Sequence, residues 1–188
     1  MKVLLWIIYI MKIGIIAICV LVSTALISRN QNQRNLLVVG QEGPDFSLTS
    51  ENKGNISLKE FLGQSVVIYF FPKADTPGWT KQACGFRNIY QEYEREKIIV
   101  LGISYDSPKS LKAFKEKHKL PFHLLSDKDK HVSRLYGANG LLWLKRITFI
   151  INPNGIIEKI YTGMNLNSHA EEILDYIVKE RNLAPIGN

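Results

Sequence analysis

Residues 65–71, SVVIYFF, limit the fold of this chain more than any other stretch. A run of apolar, β-branched and aromatic side chains without polar alternation predicts a strand buried on both faces, as in a sheet covered by helices on either side. Pro72, with no N–H for a ladder, ends it. KIIVLGIS at 97–104 predicts a second strand of the same kind. Upstream, FSLTS and ISL flank the turn-prone ENKGN as a short hairpin, and LKEFLG follows as a helical turn ended by Gly63.

Helical character covers Thr80 to Glu96, and a second helix runs from Pro108 to about Lys119. A short strand around FHLLS and a helical KDKHVSRLYG come next. RITFIINPNGIIEKIY, residues 146–161, sets two apolar runs around NPNG and predicts a hairpin. The last helix, Ser168 to Glu180, places Ile173, Leu174, Ile177 and Val178 on one face, with Ser168 as its N-cap. Strands alternating with helices and closing on a hairpin plus helix predict an α/β domain with a mixed central sheet, an order compatible with a thioredoxin-like fold.

The N-terminus is of another kind. Val3 to Ile27 is almost wholly apolar, interrupted by Lys12 and softened by Ser23 and Thr24. It exceeds the roughly 20 residues needed to span a bilayer core. Lys2 and Lys12, the run Ile13 to Val22 and the small residues Ser23 and Ala25 also fit a cleavable signal peptide. The uncleaved anchor is the preferred expectation on the length of the segment, and apolar character all round it, not along one stripe, argues against a buried core helix. The division expected is an anchor or signal peptide at 1–28, a linker at 29–42 and a domain at 43–184. Lysines precede the apolar core and Arg29 and Arg34 follow it, so flanking charge does not fix orientation. The domain is expected on the extracytoplasmic side.

The formal charge of +7 is spread along the chain. Its densest run, Lys109, Lys112, Lys115, Lys117 and Lys119, has helical spacing, includes Glu116 and lacks interleaved aromatics, so it reads as a solvated helix face and nucleic acid is not an expected partner. Only Cys19 and Cys84 occur, and Cys19 lies in the apolar segment, which excludes a disulfide framework. His118, His123, His131 and His169 show no metal-ligand spacing, and neither metal nor cofactor is expected.

The chemistry concentrates in YFFPKADTPGWTKQACGF, residues 69–86. A buried strand ends at Phe71, the loop PKADTPG follows, and a helix starts near residue 79. Free backbone N–H groups of a first helical turn at the carboxyl edge of a sheet favour anions and thiolates. A cysteine there has its pKa lowered from about 8.5 into the range of roughly 3.5 to 7.5. The residue present is Trp79, which has no such chemistry.

The segment resembles the active-site loop of the peroxiredoxins, within them the bacterioferritin-comigratory or Q-type group. That loop reads proline, three residues, threonine, proline, glycine, peroxidatic cysteine, with a resolving cysteine five residues on. Pro72, Thr76, Pro77 and Gly78 match, Cys84 stands at the resolving position, and Arg146 in RITFIINPNG matches the active-site arginine. The likeness spans about Gly43 to Val178 and departs at the peroxidatic position, Trp79. It implies thiolate attack on a hydroperoxide, with Arg146 and Thr76 stabilising departing charge, Pro72 shielding the pocket, a thioredoxin-like or other thiol reductant, and a monomer or weak homodimer. Five helical residues rise about 7.5 Å, beyond the roughly 4.4–6.8 Å between the Cα atoms of a disulfide, so a pair at 79 and 84 must unwind the helix to react.

Three accounts of Trp79 follow. The domain is a membrane-tethered peroxiredoxin-fold module without peroxidase activity, its pocket an apolar docking surface. Or Cys84 acts as a single-cysteine site reduced by an external thiol, although it sits more than a turn inside the helix. Or residue 79 of the working protein is cysteine, one base from the tryptophan codon, or selenocysteine inserted at a UGA codon. Trp143, near Arg146 in GLLWLKR, is expected as a packed aromatic, with the pocket mouth or a self-association surface as other placements.

Overall fold

The computed structural model describes residues 37–52, 54–140 and 144–183, and within the N-terminal segment residues 14, 16, 18–20, 22 and 23. The chain divides into two units, Met1–Leu36 and Leu37–Asn188. In the first, the described residues are helical, Cys19 is exposed and the Ser23 hydroxyl donates to the Val20 carbonyl at 2.9 Å. Most of the predicted membrane span lies outside the described residues. Among the described residues no helix is long and apolar enough to cross a membrane. Trp143 also lies outside them.

The second unit is built on a seven-stranded mixed sheet. Its strands are β1 (Ser47–Ser50), β2 (Asn55–Ser57), β3 (Ser65–Phe71), β4 (Ile98–Ser104), β5 (His123–Ser126), β6 (Thr148–Ile151) and β7 (Ile157–Tyr161). Their spatial order is β2-β1-β5-β4-β3-β6-β7. β3, β4 and β5 are parallel, while β6 and β7 on one side and β1 and β2 on the other pair antiparallel. The helices are α1 (Pro77–Asn88), α2 (Tyr90–Arg95), α3 (Pro108–His118), α4 (His131–Leu135) and α5 (His169–Leu183).

All of β3 is buried, as its composition requires, because alternate side chains enter two separate cores. Val67, Tyr69 and Phe71 face Phe86 of α1, Tyr93 of α2, Phe114 of α3 and Ile173 and Ile177 of α5. Val66, Ile68 and Phe70 face Val132, Tyr136, Leu144 and Phe149. The NPNG hairpin forms as expected: the Asn152 side chain accepts from Asn154 and Ile156 N–H at 3.0 Å each, and Gly155 takes φ 80°.

Two expectations are corrected. The helical stretch from Thr80 to Glu96 begins earlier, at Pro77, and is two helices broken at Ile89, whose φ of −118° and ψ of 20° leave the helical region. Proline at the first helical position explains the early start, since the N–H it lacks has no intrahelical partner there. Ser168 does not act through its hydroxyl as a backbone cap: that hydroxyl donates to the Glu172 carboxylate, and the Ser168 carbonyl accepts the Glu172 N–H.

Candidate active site

The loop between β3 and α1 is pinned from both sides. Ala74 N–H donates to Asp106 Oδ2 at 2.6 Å, and the same carboxylate accepts the Ser104 hydroxyl at 3.0 Å, tying the loop to the end of β4. Asp75 takes the left-handed φ of 60° and projects to the end of α3, where Lys117 Nζ lies at 2.8 Å and His118 Nε2 at 2.9 Å. Those two partners hold its carboxyl below the usual range. The loop thus delivers α1 with its N-terminus at the carboxyl edge of the parallel strands, where residue 79 was expected to sit.

Thr76 is the N-cap residue, and its carbonyl accepts the N–H groups of Trp79 (3.1 Å) and Thr80 (2.9 Å). Its hydroxyl donates back to the Lys73 carbonyl at 3.1 Å and makes no capping bond, so the positive end of the helix is left without a side-chain cap. Pro72, half-buried, follows the last residue of β3.

Arg146 reaches this turn from the segment leading into β6. Its guanidinium carbon sits 3.7 Å from the centre of the Trp79 ring, a cation–π stack. A Cβ at Gly78 would lie 3.1 Å from Arg146 Nη2, so glycine there lets the guanidinium close on the turn. Burial lowers the Arg146 pKa. No carboxylate among the described residues lies within ion-pair distance of it. A half-buried guanidinium and an uncapped helix N-terminus converge on residue 79, an arrangement that stabilises a negatively charged side chain or leaving group there.

Cys84 is a half-buried free thiol on the same helix. Five residues of α-helix turn it about 140° away from Trp79. It neighbours the Tyr69 phenol, which burial and, to a lesser degree, Cys84 push up. Of the five predicted site residues, the structure brings Trp79 and Arg146 into contact, keeps Thr76 beside them with its hydroxyl engaged elsewhere, sets Pro72 at the end of β3 where the loop begins, and leaves Cys84 on another face.

Sequence reasoning missed a buried polar cluster beside this contact. Gln82, one helical turn after Trp79, is 2% exposed and its Nε2 donates to Met164 Sδ at 3.4 Å. Thr148, at the start of β6, lies 4.0 Å from the same sulfur through its hydroxyl, which also meets His169 Nε2 at 3.0 Å. His169 is 1% exposed and pushed down to about 4 by burial, with Glu172 opposing the shift and Arg146 adding to it. Gln82 Oε1 and His169 Nδ1 have no hydrogen-bond partner. Helical spacing puts Gln82 on the Trp79 face and could have flagged it; Met164 comes from a segment 82 residues further along the chain, which no local pattern connects.

A mixed sheet carrying α1 on its parallel strands, with an arginine closing on the first turn of that helix, defines a domain of the thioredoxin-like class. Residues 39–160 match the AhpC/TSA family, and the chain belongs to that family, in its Bcp and peroxiredoxin Q group. Peroxiredoxin Bcp of Escherichia coli is 38% identical over 151 residues, covering 76% of this chain and 97% of that one. The chloroplastic peroxiredoxin Q of Gentiana triflora is 39% identical over 142 residues, covering 73% of this chain and 65% of its own length. Among solved structures, the bacterioferritin comigratory protein of Xanthomonas campestris, described for its alkyl peroxide reduction activity, superposes with a TM-score of 0.68 at 26% identity, over 72% of this chain and 91% of that one.

Proposed function

We propose that the protein reduces hydroperoxides at the expense of an external thiol, thioredoxin-like in kind, and that residue 79 is the reacting position. The observation that carries this reading is the contact between the Arg146 guanidinium and the residue 79 side chain on the uncapped first turn of α1. The related Xanthomonas protein, described for alkyl peroxide reduction, supports the substrate class. In the working protein a cysteine or selenocysteine at 79 attacks the terminal oxygen of the hydroperoxide. The O–O bond breaks, the alcohol departs with a proton, and the chalcogen keeps the oxygen as a sulfenic or selenenic acid. Cys84 then displaces water to form a disulfide or selenylsulfide, which the external thiol reduces. The first half of α1 opens for this step, since the helical rise of about 7.5 Å exceeds disulfide reach. The apolar segment Val3–Ile27 supports a single N-terminal anchor (1–28), followed by a linker (29–42) and the domain (43–184); in this reading the domain is a monomer or weak homodimer on the extracytoplasmic side.

A second reading has its own observation. With tryptophan in place, the indole covers the guanidinium face and packs against the core, so the pocket presents an apolar surface suited to docking. Cys84 as sole nucleophile is less favoured, because it lies off the Trp79 face and away from the helix N-terminus. Hydroperoxide consumption by protein purified from its native source, coupled to a dithiol reductant, separates peroxidase from docking module. Turnover that falls by at least about tenfold in a Cys84→Ser variant made in the same source is expected, as loss of a resolving thiol blocks recycling. Absence of turnover favours docking.

A further inference from the structure

We propose that Met164 is a second oxidisable centre of this pocket, converted by hydroperoxide to methionine sulfoxide and held in that form by Thr148 and Gln82. The inference takes only the oxidant, a hydroperoxide, from the reading above. Met164 is the one methionine of the second unit, Met1 and Met11 lying in the N-terminal segment. It is half-buried, and its sulfur faces two side chains from separate elements. Thioethers in cores ordinarily meet apolar atoms or aromatic edges. Here the partners are a carboxamide and a hydroxyl, on residues 2% and 0% exposed.

The distances distinguish the two partners. Gln82 Nε2, at 3.4 Å, is a direct donor to sulfur. Thr148 Oγ1, at 4.0 Å, is at the far limit of such a contact. An S–O bond of about 1.5 Å followed by an O–H···O bond of about 2.7 Å, bent at the new oxygen, spans close to this separation. A sulfoxide oxygen therefore fits between Met164 and Thr148 without displacing either, and as a far stronger acceptor than sulfur it accepts the hydrogen bond that the Thr148 hydroxyl donates. Gln82 Oε1 and His169 Nδ1, buried and without partners, make the surroundings of the sulfur more polar than its own hydrogen bonds require.

In the reaction a sulfur lone pair attacks the terminal oxygen of the hydroperoxide. The S–O bond forms as the O–O bond breaks, sulfur gives up two electrons, and the proton of the terminal oxygen leaves on the alcohol. No thiol is consumed, and residue 79 takes no part. Beside a peroxide-reducing centre, such a thioether records exposure: oxidation converts an apolar group packed over α1 into a polar one.

The test uses the full chain with Trp79, exposed to tert-butyl hydroperoxide without reductant and digested with trypsin. The readout is one added oxygen on the peptide of residues 160–179, followed in time beside N-acetylmethionine amide in the same tube. Failure of peroxidase turnover does not enter this readout, so the two ideas fail separately. Met164 is expected to gain oxygen at least about tenfold faster than the free amide, the worth of one well-placed hydrogen bond. Thr148→Val is expected to lose most of that advantage and Thr148→Ser, which keeps the hydroxyl, to retain it. Oxidation no faster than the free amide overturns the proposal, as does a folded Thr148→Val protein that oxidises at the unaltered rate. If the valine variant does not fold, the comparisons of the parent and the serine variant with the free amide still decide.

Discussion

Replacing Trp79 by cysteine is expected to give thiol-dependent hydroperoxide reduction at least about 10²-fold above the tryptophan protein, the contribution a single preorganised charge-stabilising group makes to such a step. The groups that lower a thiol pKa are already placed: the uncapped first turn of α1 and the Arg146 guanidinium, now stacked on the indole at 3.7 Å. A thiolate at 79 exchanges a cation–π contact for a direct charge pair. Arg146→Leu in the Trp79→Cys background is expected to remove about 10²-fold of the gain. The exchange also has a cost, because losing a partly buried indole that packs on the core destabilises the domain by roughly 1–3 kcal/mol, below the range for a fully buried ring. A coupled assay with a dithiol reductant, with thermal unfolding run in parallel, separates activity from folding.

Gly102→Ala is expected to destabilise the domain by about 3 kcal/mol, the upper part of the overpacking range. Gly102 pairs with Tyr69 across β3 and β4, and a Cβ there would sit 2.7 Å from Tyr69 Cζ and Oη and 2.8 Å from Leu124 Cδ2. Tyr69 cannot yield, because its ring stacks on Phe71 at 5.6 Å and Phe86 at 5.2 Å inside a fully buried cluster. The Tyr69 hydroxyl has no hydrogen-bond partner, so Tyr69→Phe alone is expected to be near neutral or stabilising. The double variant Gly102→Ala/Tyr69→Phe is then expected to lose less than the sum of the singles, since one of the three clashing atoms is gone. Urea unfolding of the four proteins measures this. Additive losses would mean that the backbone, not the phenol, absorbs the strain.

The fold was legible where one physical demand dominated. The apolar run Val66–Phe71 demanded cover on both faces, and NPNG demanded a turn; both hold in the structure. The break at Ile89 was not legible, because residues on both sides favour helix and packing of Phe86 and Tyr93 on the sheet decides the matter. At the site, spacing and family resemblance picked out residue 79 and Arg146, which the structure joins. They also suggested a hydroxyl from Thr76, which the loop instead uses to bind the Lys73 carbonyl. The Gln82, Thr148, Met164 and His169 cluster was invisible because its members are 16 to 82 residues apart along the chain in their pairwise contacts.

The central claim, that residue 79 is the reacting position of the working protein, is tested most directly by the mass of one peptide. Trypsin releases residues 74–81, ADTPGWTK as the sequence reads, between Lys73 and Lys81. From protein isolated from its native source, the account predicts the mass of cysteine or selenocysteine at residue 79, the latter with the isotope pattern of selenium. A tryptophan mass would contradict it, leaving an indole stacked on Arg146 in a pocket suited to docking and Cys84 as the only thiol of the domain.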